Sequence, residues 1–149
     1  MYDIIIIGSG PAGLTAAIYA SRAGLRAVVV EKDTMGAGQI SVTEQVDNYP
    51  GLPHIGGYEL GEAFREHAQG MGAGFCENEV EAIAADAAGF HLAMTDGTAL
   101  SGKSVIYAAG TSYRRLSVPG SQLPGVSYCA TCDLSLIHIS EPTRRTPIS

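Results

Sequence analysis

The sequence predicts an α/β fold built on a parallel sheet, and three observations predict it. A β-branched run opens the chain, a glycine-rich turn follows directly, and a second apolar run ends in an acid one helix-length later. Residues 2–7 carry four consecutive isoleucines without alternation, as a strand covered on both faces does. Gly8, Ser9, Gly10, Pro11, Ala12 and Gly13 come next. Pro11 suits a first helical turn, where no backbone N–H is required. Residues 14–23 are good helix formers, and Gly24 is placed to end the helix in the left-handed conformation. Residues 26–31 form a second buried strand that closes on Glu31.

The local chemistry of this βαβ unit is that of a Rossmann-like dinucleotide site. Gly8 permits the turn out of the strand, Gly10 lets the backbone approach a pyrophosphate, and Gly13 and Ala17 let helix and strand pack closely. The helix N-terminus offers free N–H groups and the positive end of its dipole. Glu31, with Lys32 beside it, falls where a carboxylate accepts bonds from both hydroxyls of an adenosine ribose. An acid here disfavours a 2′-phosphate, so FAD or NAD fits better than NADP; the fingerprint leaves those two open.

Composition bounds the rest. The chain has 149 residues and a net charge of −6 with both signs interspersed, which argues against a nucleic-acid partner. No run approaches the ~20 apolar residues of a membrane span. The isoleucine run is too short for a signal sequence and lacks a basic residue ahead of it, so a reducing cytoplasm is the expected compartment.

Residues 36–51 read as a Gly/Pro loop. Residues 57–72 place Leu60, Phe64, His67, Ala68 and Met71 at helical spacing, predicting an amphipathic helix. His54, His67 and His91 have no partner motif and read as surface or packing residues. A short strand is expected over 74–78, with Cys76 as a small buried hydrophobe. Residues 80–84, 90–95 and 98–100 predict a three-stranded meander, and the alternation of Phe90, Leu92 and Met94 suits an antiparallel sheet with one covered face. Another buried strand is expected from Ser104, ending at Ala109, Gly110 and Thr111. Arg114 and Arg115 read as a solvated connector.

Cys129 and Cys132 are spaced so that both sulfurs meet at the first turn of a helix, an environment that lowers a thiol pKa. A structural zinc site needs four ligands and typically two such pairs; with one pair present, a redox dithiol is the better reading and no metal is expected.

Gly38-Gln39-Ile40, Thr43, Val46-Asp47-Asn48-Tyr49-Pro50-Gly51 and Cys129-Ala130-Thr131-Cys132-Asp133 resemble the low-molecular-weight thioredoxin reductases. The resemblance implies FAD as the cofactor, with Gly38, Gln39, Ile40, Thr43 and Asn48 along the flavin side. It places Val80 at the adenine and Ala109, Gly110 and Thr111 beside the cofactor. The meander becomes an insertion in a three-layer ββα arrangement. Cys132 would lie against the flavin, Cys129 would attack the disulfide of a substrate protein, and Asp133 would manage the proton. NADPH as donor, thioredoxin or a similar small disulfide protein as partner, and a homodimer are further implications. One departure stands out: the family usually has Gly-Gly-Gln where this chain has Ala37-Gly38-Gln39. If the turn needs a positive φ there, alanine costs roughly 1 kcal/mol.

The resemblance covers residues 1–133. Residues 1–116 read as the FAD-binding domain and 117–133 as a connector with the start of the dithiol domain. Residues 134–149, with Pro142 and Pro147 and no helical period, read as a non-family tail of translated read-through. On this reading the fragment lacks the NADPH motif, holds FAD weakly and is inactive alone. The alternatives are a ferredoxin-dependent flavin-thioredoxin reductase and a non-catalytic FAD- or nucleotide-binding module. An NAD-dependent dehydrogenase has no use for the G-Q-I, D-N-Y-P-G and C-A-T-C segments.

Overall fold

The computed structural model describes residues 1–33, 36–112, 114–124, 126 and 128. The chain divides into two compact units, Met1–Gly110 and Thr111–Ser149. In the first, β1 (Tyr2–Ile7), α1 (Pro11–Arg22) and β2 (Ala27–Glu31) come in the expected order. A 3-10 turn (Gly38–Val42), α2 (Gly57–Gly70), β3 (Gly74–Glu77), β4 (Val80–Asp86), β5 (Gly89–Met94) and β6 (Ala99–Tyr107) follow. The strands form one sheet in the order β3-β2-β1-β6-β5-β4. β3, β2, β1 and β6 run parallel, and β5 and β4 continue antiparallel.

The uninterrupted apolar runs are explained by burial on both faces. Ile6 and Val29 pack with Leu14, Ala17 and Ala20 of α1 and with Ala68 of α2. Their neighbours Ile5, Ile7, Val28 and Val30 point the other way, onto Leu92 and Met94 of β5. Helices, parallel strands and meander therefore make three layers. Strand alternation on β5 holds as read: Leu92 and Met94 are buried, and Phe90 packs at the edge of the same cluster.

Two readings of the sequence need correction. Residues 98–100 and the strand expected from Ser104 are one continuous strand, β6. Gly102 pairs with Phe90 of β5 and with Tyr2 of β1, so the strand changes partner there without a break. A Cβ on Gly102 would stand 2.9 Å from the Ile5 side chain, so the bare backbone is what lets β6 cross over it. The second correction concerns α2. It stops at Gly70, which leaves Met71 outside the buried stripe of Leu60 and Ala68 and 37% exposed. Both helices end the same way. Leu25 N–H donates to Ala20 and Gly24 N–H to Ser21; Ala73 N–H donates to Ala68 and Gly72 N–H to Gln69. These are paired 6→1 and 5→2 closures that satisfy the last carbonyls.

In the second unit, the Tyr128 hydroxyl accepts from Leu116 N–H and donates to the Ser121 carbonyl, both at 3.2 Å. Cys129, Cys132, Asp133 and the tail at 134–149 lie outside the described residues. Among the described residues, no helix is long and apolar enough to cross a membrane.

Candidate functional site

The site forms at the carboxyl ends of the parallel strands. β1 leaves the sheet at Gly8, whose φ is 102°. Gly8 N–H still donates to Val30, and Ala108 N–H to Ile7, so the turn is held from both sides. A Cβ on Gly8 would run into the Ala108 carbonyl, and one on Gly13 would fall on the Gly8 carbonyl oxygen. These two glycines are demanded by the protein itself.

Gly10 is different. As N-cap of α1 it has φ −68° and ψ 177°, a conformation open to any residue. The nearest atom to a Cβ there would be Gly38 Cα at 3.9 Å. No side chain caps α1, and its first turn holds no acid. An uncapped helix start beneath open backbone is an anion site in waiting, and these residues fit the pyrophosphate of a dinucleotide.

Glu31 sits across the turn. Its Oε2 accepts from Ser9 N–H at 2.8 Å and from the Ser9 hydroxyl at 2.7 Å, and its Oε1 accepts from Asp33 N–H at 3.1 Å. Partial burial pushes the carboxyl pKa up, but the hydrogen bonds from Ser9 and Asp33 together outweigh it and hold the group below its ordinary value. Glu31 is therefore an anion at neutral pH.

Gly8, Glu31, Lys32, Val80 and Ala109 line one cleft of about 490 Å³. Asn78, Ile83 and Tyr107 share it and were not singled out from the sequence. Tyr107 ends β6 with 74% of its surface exposed. Ligand clefts in such sheets open at carboxyl strand ends, and that rule is the signal that points to it. Asn78 binds the end of β2 to the meander, its N–H donating to Glu31 O and its Oδ1 accepting from Glu79 N–H. Lys32 and Glu79 face each other loosely at 3.8 Å, both exposed.

The candidates Gly38, Gln39, Ile40 and Thr43 gather on and just after the 3-10 turn, apart from the cleft. The two groups touch where Gly38 passes over Gly10; a Cβ at Gly38 would be 3.2 Å from Gly10 Cα. Asn48 is exposed on a loop closed by Val46 N–H donating to Ile55 O at 2.8 Å. His54 is exposed with φ 61° and pairs with Asp47 at 2.7 Å, which also accepts from Gln45. His91 bridges Asp86 and Ser101 in the meander. Gly110 closes the first unit and Thr111 opens the second. Cys76 is half-buried; burial and then the charge of Asp96 raise its thiol pKa, the opposite of what a nucleophile needs. Among the described residues, no group of three His, Cys, Asp or Glu could hold a metal ion.

The departure at Ala37 is realised: its φ is 63°, it is buried, and its Cβ occupies the position that a Cβ on Gly61 of α2 would take. Ala37→Gly is expected to stabilise the chain by about 1 kcal/mol. Gly61→Ala is expected to cost roughly 2 kcal/mol in the native background and much less beside Ala37→Gly. Additive losses in a thermal double-mutant cycle would contradict this.

Sheet, glycine turn and uncapped helix define a Rossmann-like α/β protein. The chain belongs to the pyridine nucleotide-disulphide oxidoreductase family, which it matches over residues 2–142. It is 41% identical over 136 residues to thioredoxin reductase of Bacillus subtilis, covering 89% of this chain and 42% of that one. The match to thioredoxin reductase of Treponema pallidum is 43% over 137 residues, covering 89% and 44%. Lactococcus lactis thioredoxin reductase superposes with a TM-score of 0.77 at 36% identity, over 89% of this chain and 44% of that one. For T. acidophilum thioredoxin reductase the values are 0.75 and 35%, over 91% and 45%. The chain thus spans less than half the length of these relatives.

Proposed function

We propose that this chain provides the FAD-binding region and the redox dithiol of a cytoplasmic, homodimeric thioredoxin-disulfide reductase. In that enzyme electrons pass from NADPH through FAD to Cys129 and Cys132, and on to thioredoxin. The observation that carries the reading is the open backbone at Gly10 over an uncapped helix, next in the turn to Ser9, which bonds the Glu31 carboxylate, in a chain about 40% identical to thioredoxin reductases. The N–H groups opening α1 would hold the pyrophosphate and Glu31 the adenosine ribose. Val80 and Ala109 would line the adenine, while Gln39, Thr43 and Asn48 would serve the flavin side. When bound, FAD supplies a carrier for two electrons.

The protein's own chemistry is thiol–disulfide exchange. The Cys129 thiolate attacks the disulfide of thioredoxin, forming a mixed disulfide and expelling one thioredoxin thiolate, which Asp133 protonates. Cys132 then attacks the Cys129 sulfur. This releases the second thioredoxin thiol and leaves Cys129 and Cys132 joined as a disulfide, ready to be reduced again.

The test is a titration of the purified chain with FAD, followed by flavin fluorescence, with ADP as competitor. Saturable quenching that ADP reverses is expected. In the chain extended to the length of its relatives, anaerobic addition of reduced thioredoxin should bleach the bound flavin, and Cys132→Ser should abolish the bleaching. Quenching that ADP leaves untouched, or bleaching that persists in Cys132→Ser, would count against the reading.

A further inference from the structure

We infer that Ser9 is a positioning residue whose buried hydroxyl holds the Glu31 carboxylate toward the ribose and ties it to the turn at Ala37, joining the two halves of the cofactor site into one hydrogen-bonded unit. This rests on the reading of the cleft as an adenosine site.

Ser9 is only 1% exposed, in a turn otherwise made of glycine, proline and alanine. Its hydroxyl lies 2.7 Å from Glu31 Oε2 and 3.3 Å from the Ala37 nitrogen. A peptide N–H only donates and a carboxylate only accepts, so the direction is fixed. Ala37 N–H donates to Ser9 Oγ, and the Ser9 proton goes to Glu31. Ser9 N–H adds a second bond to the same oxygen at 2.8 Å. Two donors on Oε2 from a turn held on both sides by backbone hydrogen bonds orient the carboxylate, and Oε1 keeps acceptor capacity beside Asp33 N–H. Bonds joined in a chain polarise one another and so strengthen mutually.

The loop that follows is shaped around this hydroxyl. A Cβ on Gly36 would stand 2.5 Å from Ser9 Oγ, so the backbone closes directly over it. Ala37, beyond it, holds a left-handed conformation that alanine disfavours, and its N–H is the group that Ser9 accepts. Gly38 then reaches Gly10, and the flavin-side candidates follow. Occupancy at Glu31 is thus transmitted to the turn at 36–40 through one hydroxyl group.

Two measurements on the full 149-residue chain test this. In the first, an acid titration followed by NMR needs no substitution. The Glu31 carboxyl carbon and the Ala37 amide should share one midpoint; an Ala37 amide that ignores Glu31 overturns the link. In the second, ADP and 3′-deoxy-ADP are titrated into the native chain and Ser9→Ala. The native chain should prefer ADP by about tenfold or more, as a hydrogen bond to a charged group implies. Ser9→Ala should compress that preference to about two- or threefold while binding the deoxy analogue nearly as before. Equal losses for both ligands would mean that Ser9 is merely structural and overturn its positioning role. A native chain that does not distinguish the two would defeat the adenosine reading and Ser9's role at the ribose, with the Ala37 link still decided by the first measurement.

Discussion

Gly10→Ala and Gly13→Ala are expected to part company: the first should abolish most nucleotide affinity at nearly native stability, the second should destabilise the fold. At Gly13 the added methyl falls on the Gly8 carbonyl oxygen, a backbone atom held by the turn. α1 cannot slide away, because Leu14, Ala17 and Ala20 are packed against Ile6 and Val29. Overpacking at such a contact costs up to about 3 kcal/mol, and the better helix propensity of alanine returns about 1 kcal/mol. A net loss of about 2 kcal/mol should lower the melting temperature by roughly 10 °C. At Gly10 neither the backbone angles nor any neighbour resists a methyl, so stability should stay within about 0.5 kcal/mol. The methyl would instead fill the space left for a phosphate. Thermal melts paired with ADP titrations decide the matter, and a Gly10→Ala chain that binds ADP normally would remove the pyrophosphate from this turn.

Glu31→Gln carries the second large effect. A glutamine keeps one oxygen for Ser9 but turns an amide toward Asp33 N–H and the sugar, where an acceptor is needed. ADP affinity should fall roughly ten- to hundredfold, the worth of a hydrogen bond to a charged group. The pH dependence follows from the direction of the Glu31 shift. Its folded pKa lies below the ordinary 4.5, so its contribution to stability is complete above that value and disappears as pH falls through the folded pKa. Lys32, Asp33 and Glu79 near it, and Glu77 on the paired strand, add only screened contributions. The ratio of ADP affinity between the native chain and Glu31→Gln, in which the ligand's own phosphate and adenine titrations cancel, should be flat across the neutral range and decline below pH 4.5. A neutral-range inflection would instead implicate another group.

The unit β1–α1–β2 was legible in the sequence because its instructions are local. Four isoleucines, a proline at the first helical position and an acid at the strand end act on their immediate neighbours. The strain at Ala37 was legible too, since an alanine where a glycine is usual can be judged from one turn. Its accommodation by Gly61 was not, because the packing of α2 over the turn is written in neither segment. β6 was misread for the same reason. Gly102 looks like a strand breaker on its own, and only the passage over Ile5 explains it. Tyr107 and Asn78 join the cleft through the strand order β3-β2-β1-β6, which no short stretch encodes. The dithiol was read from its spacing and its company, and it lies outside the described residues.

The strand that changes partners also sets a schedule. β6 lies against β1, and Lys103 meets Asp3 across a separation of 100 residues, while Ala108 closes the turn at Gly8. During synthesis the isoleucine run of β1 is made first and must wait for its second neighbour until nearly the whole first unit has left the ribosome. Until then its edge is unpaired, which is the condition under which nascent chains stick to one another. The glycine turn cannot set until Ala108 arrives. For this chain, setting the glycine turn and completing the sheet belong to the same late moment of its making.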